Sequence, residues 1–237
     1  MDTDRLVKQK FNIFLIVDTS RSMHGTRIKQ VNEAIRDISF YLKDMQKENT
    51  NIDFYLSILT FGTDATWYKD KNESKIEDFE FEDIKTYGQS NLHVAYHKLN
   101  EVLLKESQGG MMPDFGGVAP VMLLLSDGHP TEGNSKEELE SLRKKPWFKV
   151  ALKYGIAIEL NDERTMKVLK EFVSNNGDVI EVYNSNLLKK IIKIIVLTAS
   201  KVKSTSNSVH NTKYQSITEQ VQQEIQEALA DVNDWEW

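Results

Sequence analysis

The chain has 237 residues, 40% of them hydrophobic and four of them proline, enough for one domain with a sizeable core and an appendage. A formal net charge of −6 argues against general affinity for nucleic acid and favours a neutral or basic partner surface. The absence of cysteine excludes disulfides, thiolate zinc sites and cysteine nucleophiles, and fits a reduced, cytoplasmic setting.

The first residues, Met1 to Arg5, carry acids where a secretory leader carries bases, so no signal peptide is predicted. Residues 11–18 form an apolar, β-branched run that reads as a central strand. Residues 25–45 read as a helix, with Ile28, Val31, Ile35, Ile38 and Leu42 at three- and four-residue spacing. A second strand is expected over 52–61, and a short one over either 66–68 or 79–84. Residues 91–106 read as a helix with Leu92, Tyr96, Leu99 and Leu103 on one face. The glycine- and proline-rich stretch 107–120 reads as a loop. The fully apolar run 121–125 is a third strand, stopped by Ser126, Asp127 and Gly128. There follow a helix over 135–144, a strand within 151–159, a helix over 163–174, a short strand over 179–183 and a long helix over 187–203. The apolar segment 191–199 is interrupted by Lys193 and falls far short of the roughly 20 residues a membrane span needs, so no membrane association is expected.

Strands alternating with helices predict an α/β fold: a doubly wound, mostly parallel central sheet flanked by helices. Continuous apolar strands belong in a sheet covered on both faces, and such sheets bind ligands at the carboxyl ends of their central strands. Asp18 and Asp127 both fall at such ends.

Asp18, Ser20 and Ser22 are spaced by two, so their oxygens can converge within one tight loop. Carboxylates and hydroxyls suit a hard divalent cation. One carboxylate and two hydroxyls make an incomplete shell, and Ser90 and Asp127 are candidates to add to it. Each also has a plainer reading: Asp18 and Ser20 as turn or cap residues, Ser90 as a helix cap, Asp127–Gly128 as a turn. The joint pattern favours the metal: two acids end two apolar strands, with a hydroxyl before the intervening helix.

Taken together, the segments Asp18-Thr19-Ser20-Arg21-Ser22-Met23, Gly88-Gln89-Ser90-Asn91-Leu92 and Leu123 to Thr131 resemble the von Willebrand factor A (VWA) family. They look like that family's metal-ion-dependent adhesion site, and the resemblance runs from about residue 10 to residue 203. It implies a Rossmann-like fold and Mg²⁺ or Mn²⁺ as the cofactor. It implies direct ligation by Ser20 and Ser22, with Asp18 and Asp127 acting mostly through bound water. Ser90 stands where the family usually has threonine, and keeps the hydroxyl. His93 stands where relatives often have glycine. The segment from Ile194 to Ser208 is similar to bacterial, cytosolic, tellurite-resistance (TerY-like) members, which implies a stress-response setting with a protein kinase and a PP2C-type phosphatase as partners.

An incompletely coordinated cation stays electrophilic and can take an Asp or Glu carboxylate from a protein partner. The positive end of the helix starting near Gly25 would reinforce this. A magnesium-dependent phosphotransferase using Asp18 is the rival reading. It lacks the second acid of an Asp-x-Asp pair, because Ser20 stands there, and the chain contains no phosphate-binding glycine loop and no nucleophile elbow. No catalytic residue is therefore assigned. A structural domain with a non-functional metal loop is the third possibility. His93 and His97 could pair on zinc, but Val94 replaces the glutamate of a zinc-protease motif, and a solvated helix face explains them. His24 and His129 flank the acid loops as rim residues.

The domain is expected to span residues 1–203, followed by a polar linker over 204–212 and an amphipathic, acidic tail over 213–237. The tail carries Ile217, Val221, Ile225, Ala228, Leu229 and Val232 in one stripe, then Trp235 and Trp237. That stripe must be buried on the domain itself or on a partner, which makes Ile217–Trp237 a candidate second docking element.

Overall fold

The computed structural model describes residues 8–115, 117–127, 135–159, 163–174, 177–201 and 210–233. Strand β1 (Gln9–Asp18) is buried from Phe11 onward, as an apolar run flanked on both faces must be. Strands β2 (Ile52–Phe61) and β5 (Val121–Ser126) lie parallel on either side of it, with Ile13 opposite both Leu56 and Val121. Beyond β5 come β6 (Leu152–Ile158) and β7 (Gly177–Val182), both parallel. The short β3 (Ala65–Trp67) and β4 (Ser74–Lys75) pair antiparallel with β2. The order is β3-β2-β1-β5-β6-β7, with β4 also on β2. The chain therefore leaves β1 to one side for β2 and later returns to its other side with β5, which makes the carboxyl end of β1 the switch point where crevices open in doubly wound sheets.

Two apolar layers cover the sheet. Phe11, Ile13, Leu15 and Val17 pack against α1 (Thr26–Glu48) and α6 (Ser185–Lys201), while Phe14 and Ile16 face α2 (Leu92–Val102), α3 (Ser135–Lys144) and α5 (Glu163–Val173). This is the expected mostly parallel α/β architecture.

Several elements differ in detail from the sequence reading. Residues 79–84 form no strand, although they include Phe79, Phe81 and Ile84. The backbone of Ile84 is held by the Asn32 side chain (2.9 and 3.0 Å) and the N–H of Glu82 by the Tyr68 hydroxyl (2.6 Å). Side chains thus replace a ladder, while the rings of Tyr68, Phe79 and Phe81 cluster 5.7–6.4 Å apart. Helix α2 stops at Val102 rather than continuing to 106, because Met111 N–H turns back to the Val102 carbonyl (3.0 Å). A one-turn helix, α4 (Pro146–Val150), was not legible; Pro146 sits in its first turn, where a missing N–H costs nothing.

Helix α7 (His210–Asn233) starts inside the stretch read as linker, and most of that linker lies outside the described residues, as do Trp235 and Trp237. Val221 and Ile225 are buried on the domain, in the layer formed with α6, and Ala228 is buried as well. This part of the tail therefore packs on the domain itself. No described helix is long and apolar enough to cross a membrane.

Candidate metal centre

Three loops build the site. The first follows β1. Asp18 is fully buried, and its Oδ1 accepts the Ser20 N–H (2.8 Å), an interaction that closes the tight turn and brings Ser20 and Ser22 to the same side. Their hydroxyl oxygens are 3.0 Å apart.

The second loop carries Ser90. It is laced to its neighbours by backbone hydrogen bonds: Tyr87 N–H to Thr19 O (2.6 Å), Arg21 N–H to Gly88 O (3.2 Å) and Asn91 N–H to Gly62 O (3.0 Å). Gly88 has φ +73°, and a Cβ there would lie 2.2 Å from the Thr63 hydroxyl, so this close approach requires glycine. The result places the Ser90 hydroxyl 2.8 Å from Asp18 Oδ2, to which it donates.

The third loop leaves β5. Ser126 donates to the same Asp18 Oδ2 (2.7 Å), and Ser22 donates to Asp127 Oδ1 (2.8 Å). All five residues expected at the site, Asp18, Ser20, Ser22, Ser90 and Asp127, therefore belong to one connected cluster. The following residues, Gly128 to Thr131, lie outside the described residues, and His129 with them.

Sequence reasoning missed three members. Ser126 reads only as part of the stop after the apolar strand 121–125, and nothing marks its hydroxyl as pointing at Asp18. Arg27, in the first turn of α1, places Nη1 2.6 Å from Asp127 Oδ2 and 3.0 Å from Ser22 O. Glu159, at φ +47° just past β6, holds the other side of that guanidinium (Nε to Oε2, 3.3 Å) and accepts from Gln30 (2.9 Å). The Asp127 side chain has no exposure to solvent, so this ion pair is a buried one on its acidic side.

Burial pushes the Asp18 carboxyl above its ordinary pKa, opposed by the hydrogen bonds from Ser20, Ser126 and Ser90. A buried carboxylate with no cationic partner at hydrogen-bond distance among the described residues is an arrangement that a cation would stabilise. The donors are all oxygens, two carboxylates and hydroxyls, which suits a hard divalent ion. Among the described residues no group of three or more His, Cys, Asp or Glu could hold a metal, so any ion here depends on the serine hydroxyls. His97 is engaged by Glu138 (3.3 Å) and Glu101 (3.6 Å). His24 is exposed and bonded to Thr86 (3.1 Å), as a rim residue.

The family model for the von Willebrand factor type A domain matches residues 12–194, and the chain belongs to that family. It is 26% identical over 193 residues to inter-alpha-trypsin inhibitor heavy chain H1 from Bos taurus, covering 76% of this chain and 20% of that protein. Among solved structures, the von Willebrand factor type A protein from Catenulispora acidiphila superposes with a TM-score of 0.60 at 11% identity, covering 81% of this chain and 43% of the other. Proximal thread matrix protein 1 from the mussel byssus, solved with a zinc-occupied adhesion-site motif, gives a TM-score of 0.52 at 15% identity, over 81% and 48% of the two chains. The chain thus spans a fifth of the heavy chain and under half of either structure.

Proposed function

We propose that this domain is a non-catalytic binding module in which Asp18, Ser20, Ser22, Ser90 and Asp127 hold a divalent cation, Mg²⁺ or Mn²⁺, that captures an Asp or Glu carboxylate of a protein partner. The observation that carries this reading is the convergence of three loops on the buried Asp18 carboxylate, which accepts the Ser20 N–H and the Ser90 and Ser126 hydroxyls. A shell with few protein charges leaves the ion electrophilic, so an incoming carboxylate displaces water and joins it. The test is calorimetric titration of Mg²⁺, Mn²⁺ and Zn²⁺ into the wild type and Ser20→Ala, followed by partner recovery with and without EDTA. Binding lost in the variant and recovery lost in EDTA are expected; equal recovery in both conditions counts against the proposal.

The phosphotransferase alternative gains no support from the site. The Asp18 carboxylate is surrounded by serine donors, and Ser20 stands where such an enzyme needs its second acid. Magnesium-dependent phosphatase turnover abolished by Asp18→Asn would reverse this choice. A finer assignment, a cytoplasmic scaffold of a bacterial stress response working with a kinase and a PP2C-type phosphatase, rests on the likeness of residues 194–208 to TerY-like proteins. The chain's similarity to inter-alpha-trypsin inhibitor heavy chains does not extend to that role, so it is a proposal for co-purification to test.

A further inference from the structure

Away from the metal centre, a groove of about 600 Å³ opens between the edge strand β7 and helix α7. Its walls include Leu187, Ile225 and Leu229, and its rim carries Asp178 and Glu181; no lysine, arginine or histidine lines it among the described residues. Helix α7 lies beyond the span matched by the family model, so this groove is a feature of the present chain.

Two observations point to a ligand. First, Tyr154 lines the groove, is fully buried, and its hydroxyl has no hydrogen-bond partner among the described residues. Such a group carries an uncompensated desolvation cost if left unmet. Second, β7 is the last strand of the sheet among the described residues, and the Val179 N–H is taken by the Asp178 carboxylate (2.7 Å). An unpaired edge beside a groove is the arrangement that accepts an added strand.

We infer that this groove docks an extended segment of a partner protein that pairs with β7 and inserts a lysine or arginine side chain between β7 and α7. The chemistry is complementary at each level. The alkyl stem covers Leu187, Ile225 and Leu229, while the cationic head donates to the Asp178 carboxylate and to the Tyr154 oxygen. A second copy of this chain is disfavoured as occupant, because edge-to-edge pairing would bring the acids of one β7 against those of the other. The site is independent of the metal centre and of the function proposed for it.

The test is selection of phage-displayed random twelve-residue peptides on the full chain in EDTA, which silences the metal centre. Selected peptides should be enriched in Lys or Arg alternating with β-branched residues. They should bind the double variant Asp178→Lys, Glu181→Lys at least tenfold more weakly, and Tyr154→Phe several-fold more weakly. Leu229→Lys changes the opposite wall without touching the strand and should also weaken binding, which keeps the test decisive if the double variant misfolds. No cationic enrichment, unchanged binding by these variants, or dimerisation of the chain through β7 would overturn the inference.

Discussion

Asp18 receives hydrogen bonds from one backbone N–H and two serine hydroxyls, yet burial still drives its pKa upward. Its charge is therefore a local cost to the folded domain when no cation is present. Asp18→Asn should leave metal-free thermal stability equal or higher while abolishing the stabilisation by Mg²⁺; a melting curve with and without the ion reads both. Arg27 has the opposite character. Arg27→Ala strips the partner from the buried Asp127 Oδ2 and should cost about 2–3 kcal/mol without metal, part of it recovered when Mg²⁺ is added. Chemical denaturation in both conditions measures this. Lys153 gives a prediction in pH. It is 3% exposed, and burial, helped by nearby Arg143, lowers its pKa to about 8 while its ammonium donates to the carbonyls of Phe148 and Ala151. Below pH 8 the amine is charged in both folded and unfolded chains, and the burial cost is fully felt. Between about 8 and the ordinary lysine value near 10.4 the unfolded chain binds more protons, so stability from this group rises with pH. Relative to Lys153→Met, the wild type should gain about 3 kcal/mol between pH 7 and pH 10.5, measured as the difference in unfolding free energy. At this scale the sequence exposed the oxygens of Asp18, Ser20, Ser22, Ser90 and Asp127, because motif spacing marks them. It hid Ser126 and Arg27, whose contacts depend on how a strand end and a helix turn are aimed in three dimensions.

At the level of elements, legibility followed periodicity. Strands β1, β2 and β5 and helices α1, α3 and α5 were readable because buried strands and one-sided helices impose distinct apolar patterns. Residues 79–84 misled because aromatic and β-branched side chains serve a buried loop as well as a strand; what decides is the Asn32 side chain, some fifty residues earlier in sequence. The stripe on α7 was equally visible, but its destination was not, since an amphipathic face does not encode which groove receives it. With Val221 and Ile225 buried in the layer shared with α6, and Ala228 buried as well, α7 is a structural part of the molecule. Ile225→Ala should lower unfolding free energy by about 2–4 kcal/mol, and deletion of residues 204–237 should depress the melting temperature markedly; an unchanged melting temperature would mean that α7 does not dock at home.

For the molecule as a whole, the order β3-β2-β1-β5-β6-β7 places the switch point and all five candidate ligands at one end of the sheet. A saturating cation that binds only the folded form should stabilise by about 2.7 kcal/mol at one hundred times its dissociation constant, and this gain should vanish in EDTA. Differential scanning calorimetry over a series of Mg²⁺ concentrations checks both the size and the logarithmic dependence. The pairing of β1 with β5, with Val17 beside Leu125, carries a further consequence. More than a hundred residues separate the two halves of the cluster, so the donors meet only once this long-range contact has formed. A cation consequently cannot nucleate folding. A cation bound there would arrive after the chain has closed and act as a latch, slowing escape from the native state while leaving the refolding rate untouched.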